Sequence, residues 1–117
     1  MSPLEFHPEA EAELLDAARW YGALAVNLRE RFAVEVARAL DAVRSSPHSF
    51  PKVSGDARRA ILRAFPYGVV YVELRDRLVV LAIAHHARKP GYWRARSIED
   101  GSTLHESPAP AYVRASR

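Results

Sequence analysis

The sequence has no cysteine, which removes disulfide frameworks and thiolate metal sites from the possible functions. It has no apolar stretch approaching the roughly eighteen residues that would span a bilayer. Where a secretory leader would place a basic start and an apolar run, it carries Glu5, Glu9, Glu11 and Glu13. The expectation is a soluble cytoplasmic protein with no membrane association. A metal site is not expected either. His85 and His86 are adjacent on a strand and therefore point to opposite faces, no carboxylate lies near them in sequence, and His7, His48 and His105 have no evident companions. No cofactor is expected.

What remains is an ordinary globular composition, 49% hydrophobic and 26% charged, in 117 residues. That length suits one domain with one core. The net charge of +3 conceals a gradient. Residues 1–24 sum to −4 and residues 57–96 to +7, the latter through Arg58, Arg59, Arg63, Arg75, Arg77, Arg88, Lys89, Arg94 and Arg96. A basic half of this kind suits a polyanion or an acidic partner protein, or is simply a solvated arginine-rich face.

Leu4-Glu5-Phe6 alternates as a short strand does. Pro8 fits the first turn of a helix, where a missing N–H costs nothing, and Leu14, Ala18, Tyr21 and Ala25 follow at helical spacing, with Ala17, Trp20 and Leu24 alongside. This predicts a first helix over about Pro8 to Leu24. Asn27 with Glu30 reads as an N-cap and its capping-box partner, and the stripe Leu28, Phe32, Val36, Leu40 (or Ala39) and Val43 reads as a second amphipathic helix ending at Ser45-Ser46-Pro47. Trp20, Tyr21 and Phe32 read as core or interface residues. His48 to Asp56, with Pro51 and Gly55, reads as a loop.

Beyond it the period changes. Arg59–Arg63, Val69–Leu74 and Leu78–His85 favour strands, the last two joined through the tight polar turn Arg75-Asp76-Arg77. Strict alternation predicts Val79, Leu81, Ile83 and His85 on one face of the last strand and Leu78, Val80, Ala82 and His86 on the other. Both sets are largely apolar, as in a strand buried on both sides. Arg58 and Arg59 should likewise face opposite ways, and Phe65-Pro66 should form a turn anchored by its aromatic ring. Pro90-Gly91 ends the strand, and Tyr92–Arg96 reads as a last helical turn. Residues 97–117 are rich in Gly, Ser, Thr and Pro and read as a tail that is flexible or orders on a partner. The predicted class is α+β, in the order β-α-α-β-β-β, with a helix hairpin packed on a small, mainly antiparallel sheet over residues 1–96.

Two segments carry a family resemblance. Arg58-Arg59-Ala60-Ile61-Leu62-Arg63-Ala64-Phe65-Pro66-Tyr67-Gly68-Val69-Val70-Tyr71 is similar to an arginine-rich strand, a turn and a tyrosine-bearing strand of the RelE/ParE superfamily of toxins. Ala84-His85-His86-Ala87-Arg88-Lys89-Pro90-Gly91-Tyr92-Trp93 resembles the ending of its ParE-like, plasmid-stabilisation members. Phe6-His7-Pro8-Glu9-Ala10 and Trp20-Tyr21 look like the same group. The resemblance implies a growth-inhibiting toxin of a type II toxin–antitoxin system, neutralised by a cognate antitoxin encoded by an adjacent gene. It leaves three mechanisms open: inhibition of DNA gyrase, as in ParE-like members; cleavage of mRNA on the ribosome, as in RelE-like members; or a toxin-like fold that serves only as a binding module.

A metal-independent nuclease needs a proton acceptor for the 2′-OH, charge stabilisation at the phosphate and a proton for the leaving oxygen. The resemblance offers His85, Arg88 and Tyr92 for these roles. It also implies Arg59, Arg63, Arg88, Lys89 and Trp93 as contacts to the target or antitoxin. This chain departs from the ribonuclease members at Ile61 and Gly68, where they carry basic residues. Each such loss removes on the order of 3 kcal/mol of transition-state stabilisation. The gyrase reading requires no catalytic set and tolerates both departures.

Overall fold

The computed structural model describes residues 3–96, 98–99 and 113–114. The chain forms two compact units, Met1–Ala87 and Arg88–Arg117.

The first unit is the expected α+β arrangement. Strand β1 (Leu4–Phe6) leads into helix α1 (Pro8–Leu24) and helix α2 (Val26–Ser45). A 3-10 turn at Pro47–Ser49 and strands β2 (Lys52–Ser54), β3 (Ala57–Ile61), β4 (Tyr67–Glu73) and β5 (Leu78–His85) follow. The sheet order is β1-β5-β4-β3-β2. Every pairing is antiparallel except β1 with β5, which is parallel. The strand β2 was not expected. It is a short edge piece inside the segment read as a loop, paired to Arg58 and Ala57 across an irregular register.

Helix α1 starts at Pro8, and His7 caps it, its Nδ1 accepting from the Glu9 N–H at 3.1 Å. The predicted cap of α2 is corrected. Ala25, extended at φ −165°, ends α1 and begins α2, with no side-chain cap. Asn27 already lies inside the first turn, because a one-residue link leaves no room for a separate cap. The helices present Ala10, Ala17, Phe32, Val36 and Val43 to the sheet, where they meet Ala60, Leu62, Val69, Tyr71, Leu78, Val80 and Ile83. Leu14, Ala18 and Tyr21 pack at the margin of this core. Trp20 remains 62% exposed.

The alternation predicted for β5 is also corrected. Val70 pairs with Ala82 but Tyr71 pairs with Val80, so Leu81 is an extra residue forming a bulge. The bulge reverses the parity of the strand. Leu78 and Val80 now share the helix-facing side with Ile83, and His85 joins them, opposite Tyr67. Val70, Val72, Val79 and Leu81 are buried as well, as a central strand pair predicts.

Two polar clamps hold the ends of the sheet. Arg77, with its side chain 13% exposed, pairs with Glu5 at 3.0 Å and Asp76 at 3.1 Å. Burial alone would lower its pKa, but the two carboxylates outweigh burial and hold it above the usual value. At the opposite corner, the Tyr71 hydroxyl donates to the Pro47 carbonyl at 2.5 Å, and Arg58 donates to the carbonyls of Phe50 at 2.7 Å and His48 at 3.4 Å. His48 Nε2 meets Glu73 at 2.6 Å.

In the second unit, Gly91 at φ 79° turns the chain into a 3-10 turn at Tyr92–Ala95. Ile98–Glu99 and Val113–Arg114 form a short parallel pair. The rest of the segment expected as a tail lies outside the described residues.

Candidate functional site

The basic residues of β3 divide as the strand pleat requires. Arg58 turns to the helix side and is spent on the loop carbonyls. Arg59 turns to the other side, where its aliphatic stem crosses Gly68: a Cβ placed on Gly68 would lie 2.9 Å from both Cγ and Cδ of Arg59. Glycine at 68 therefore opens the channel that Arg59 fills. An arginine side chain at that position is incompatible with the observed course of Arg59. Among the described residues the buried Arg59 Nε has no hydrogen-bond partner.

Arg63, just past β3, is exposed and lines a cleft of about 160 Å³ together with Glu35, Arg38, Ala39 and Ala42 of α2, Phe50, and Ala60 to Leu62. Arg59 and Arg63 thus belong to different surfaces.

His85 sits on the helix side among aromatic rings. Its ring meets the edge of Tyr67 at a centroid distance of 4.9 Å. Tyr67 in turn contacts Phe32 at 5.4 Å and Tyr21 at 6.2 Å, while Phe65 closes the group against Tyr21 and Phe32. The His85 Nδ1 accepts the Ala87 N–H at 2.9 Å. An Nδ1 that accepts a hydrogen bond is unprotonated, which places the proton of the neutral ring on Nε2. In this state Nε2 is a donor and not a base.

Glu13 approaches the same corner from α1 and accepts the Ile83 N–H at 3.0 Å. That N–H points away from β4, beyond the last residue of β1, so the carboxylate stands where a strand has ended. Burial raises the pKa of Tyr67, and the neighbouring Tyr21 and Glu13 raise it further; burial also raises that of Tyr21. Both hydroxyls stay neutral at physiological pH. Sequence reading missed this corner because Glu13 looked like one more acid of an acidic helix, and the bulge that turns His85 toward it has no signature in a run of Val, Leu, Ala and Ile.

In the second unit, the Arg88 guanidinium lies 3.7 Å from the centroid of the Tyr92 ring and that of Arg96 lies 5.1 Å from it. Arg88 and Lys89 are exposed, and Trp93 is 4% exposed. The structure thus brings Arg88 and Tyr92 together as a cation–π pair. Within the first unit it separates Arg59 from His85, which occupy opposite faces of the sheet. Among the described residues no group of three or more His, Asp or Glu side chains is placed to hold a metal ion, and no helix is long and apolar enough to cross a membrane.

Comparison with known proteins agrees with this architecture. A solved chain of the chromosomal ParDE toxin–antitoxin system from P. aeruginosa is similar in fold, with a TM-score of 0.55 at 18% identity over 73% of this chain and 96% of that one. No curated protein matches the sequence. Residues 4–90 match the family described as the ParE toxin of the type II toxin–antitoxin system parDE, and since that match spans most of the chain, including the whole five-stranded sheet, the chain belongs to the ParE toxin family.

Proposed function

We propose that this chain is the growth-arresting toxin of a two-gene pair, that it acts by binding DNA gyrase rather than by cutting mRNA, and that a small antitoxin encoded beside it neutralises it in the cytoplasm. Family membership supports the toxin and its antitoxin partner. The separation of Arg59 from His85 supports inhibition over nuclease chemistry. A phosphate held by Arg59 on one sheet face is out of reach of His85 on the other, and His85 Nε2 is a donor in the observed hydrogen-bonding state. Gly68 and Ile61 remove the further charges that cleavage would use. Binding needs none of these, only basic side chains at the surface; the candidates are Arg59 and Arg63, on different surfaces of the first unit, and Arg88 and Lys89 of the second.

Induction in cells with and without the adjacent gene tests this reading. The expected result is growth arrest with transcripts intact, reversed by the second gene. Codon-phased cuts in mRNA would replace the reading with a ribosome-dependent nuclease. Normal growth at full expression would reduce the chain to a binding module.

A further inference from the structure

Strand β3 outlasts its neighbour. Pro51 accepts the Arg59 N–H at 3.1 Å, and from there the chain leads away through Phe50 into the 3-10 turn. On the other side Leu62 donates to Tyr67 at 2.9 Å. Because backbone groups alternate along a strand, the N–H and C=O of Ile61 must point away from β4, to the side β2 has vacated. Among the described residues neither group has a partner. The Ile61 side chain, on the face opposite the helices, is 55% exposed.

The cleft of about 160 Å³ lies beside this open edge. Its floor is apolar, made by Ala39, Ala42, Phe50, Ala60 and Leu62. Its charges are asymmetric in use. Glu35 is engaged, accepting the Ala64 N–H at 2.8 Å, whereas Arg38 and Arg63 have no ion pair or hydrogen bond among the described residues. A free backbone edge, an apolar recess one side chain away and two uncommitted arginines occur at one place.

We propose that this edge receives an extended segment of the antitoxin as an added strand. The segment hydrogen-bonds to Ile61, sends an aliphatic side chain into the cleft and sets acidic side chains against Arg38 and Arg63. Each element matches a requirement of strand addition: main-chain hydrogen bonds supply affinity, and the recess and charges supply register. A short edge with exposed apolar surface is also what a folded chain otherwise covers or charges. The proposal rests on the reading of the chain as a toxin neutralised by a partner protein, and adds where and how that partner docks.

The test uses the full chain and the small protein encoded by the adjacent gene. In wild type, complex formation should slow amide exchange at Ile61 and Arg63. Ile61→Pro removes only the outward N–H, and proline is tolerated at an edge position of this kind. It should weaken binding about tenfold, the worth of one main-chain hydrogen bond. Arg38→Glu and Arg63→Glu, which leave the backbone untouched, should each weaken binding by a similar, salt-dependent factor, and Arg38→Glu should do so while growth arrest in the absence of antitoxin persists. Unchanged exchange at Ile61 with unchanged affinity in the charge variants overturns the edge assignment and leaves neutralisation standing. Failure of the partner to bind wild type overturns both.

Discussion

Replacing Gly68 with alanine inserts one methyl group into the space occupied by the Arg59 stem. The new Cβ would lie 2.9 Å from both Cγ and Cδ of Arg59, well inside the roughly 3.5–4.0 Å at which carbon atoms attract. The backbone is not the obstacle, since the nearest main-chain atom is the Ala60 carbonyl oxygen at 3.6 Å. Arg59 must therefore leave its channel, and overpacking of this kind costs about 1–3 kcal/mol. Alanine in a strand recovers part of that, about 0.4–1 kcal/mol, by restricting the unfolded chain. The expected net effect is a loss of about 1 kcal/mol in the wild-type background. In an Arg59→Ala background the clash is gone, and the same substitution should become neutral or stabilising. A double-mutant cycle by urea unfolding, comparing midpoints at constant m-value, reads the difference. The coupling should exceed the roughly 0.3–0.5 kcal/mol by which independent sites depart from additivity. Equal shifts in both backgrounds would show that Gly68 is not there for Arg59.

Glu13→Ala should destabilise the fold by about 1–3 kcal/mol by leaving the Ile83 N–H without its acceptor, whereas Glu13→Gln, which keeps an acceptor oxygen, should cost clearly less; thermal melts of the two distinguish them. Tyr71→Phe should cost about 1 kcal/mol through loss of the bond to Pro47, measured by urea unfolding. Tyr21, Tyr67 and Tyr71 all have raised pKa values in the folded chain, chiefly through burial. Their contribution is therefore fully present below the ordinary tyrosine range near pH 10 and is lost as pH rises through the folded values. Urea midpoints should fall above about pH 10, and less steeply in Tyr67→Phe. His85→Ala should leave growth arrest intact; loss of toxicity in a variant that still folds and binds its antitoxin would return His85 to a functional role.

Much of this fold is written in local pattern. The 3.6-residue period places α1 and α2, the branched residues of 69–74 and 78–85 place β4 and β5, and Pro8 marks the start of α1 to the residue. The errors lie where a single residue decides geometry without changing composition. The bulge at Leu81 exchanges one apolar residue for another across the sheet, so its only visible consequence is the direction of His85. Ala25 displaces Asn27 as a cap because the hairpin link is one residue long, a constraint imposed by packing rather than by the capping preference of asparagine. The opposed directions of Arg58 and Arg59 were legible from the pleat alone. The pairing of Arg59 with Gly68 was not, since it requires knowing that β3 and β4 place Ile61 opposite Gly68. The open edge at Ile61 is a tertiary fact of the same kind: β2 is too short to read in sequence, and so is the place where it stops.

The proposed action is binding to DNA gyrase and not cleavage of mRNA. The most direct measurement adds the purified chain to gyrase in a supercoiling assay and, in parallel, to translating ribosomes with primer-extension mapping of the transcript. The expected result is blocked supercoiling, relieved by the antitoxin, with the transcript uncut. Unimpaired supercoiling together with cuts in the ribosomal A site would contradict it.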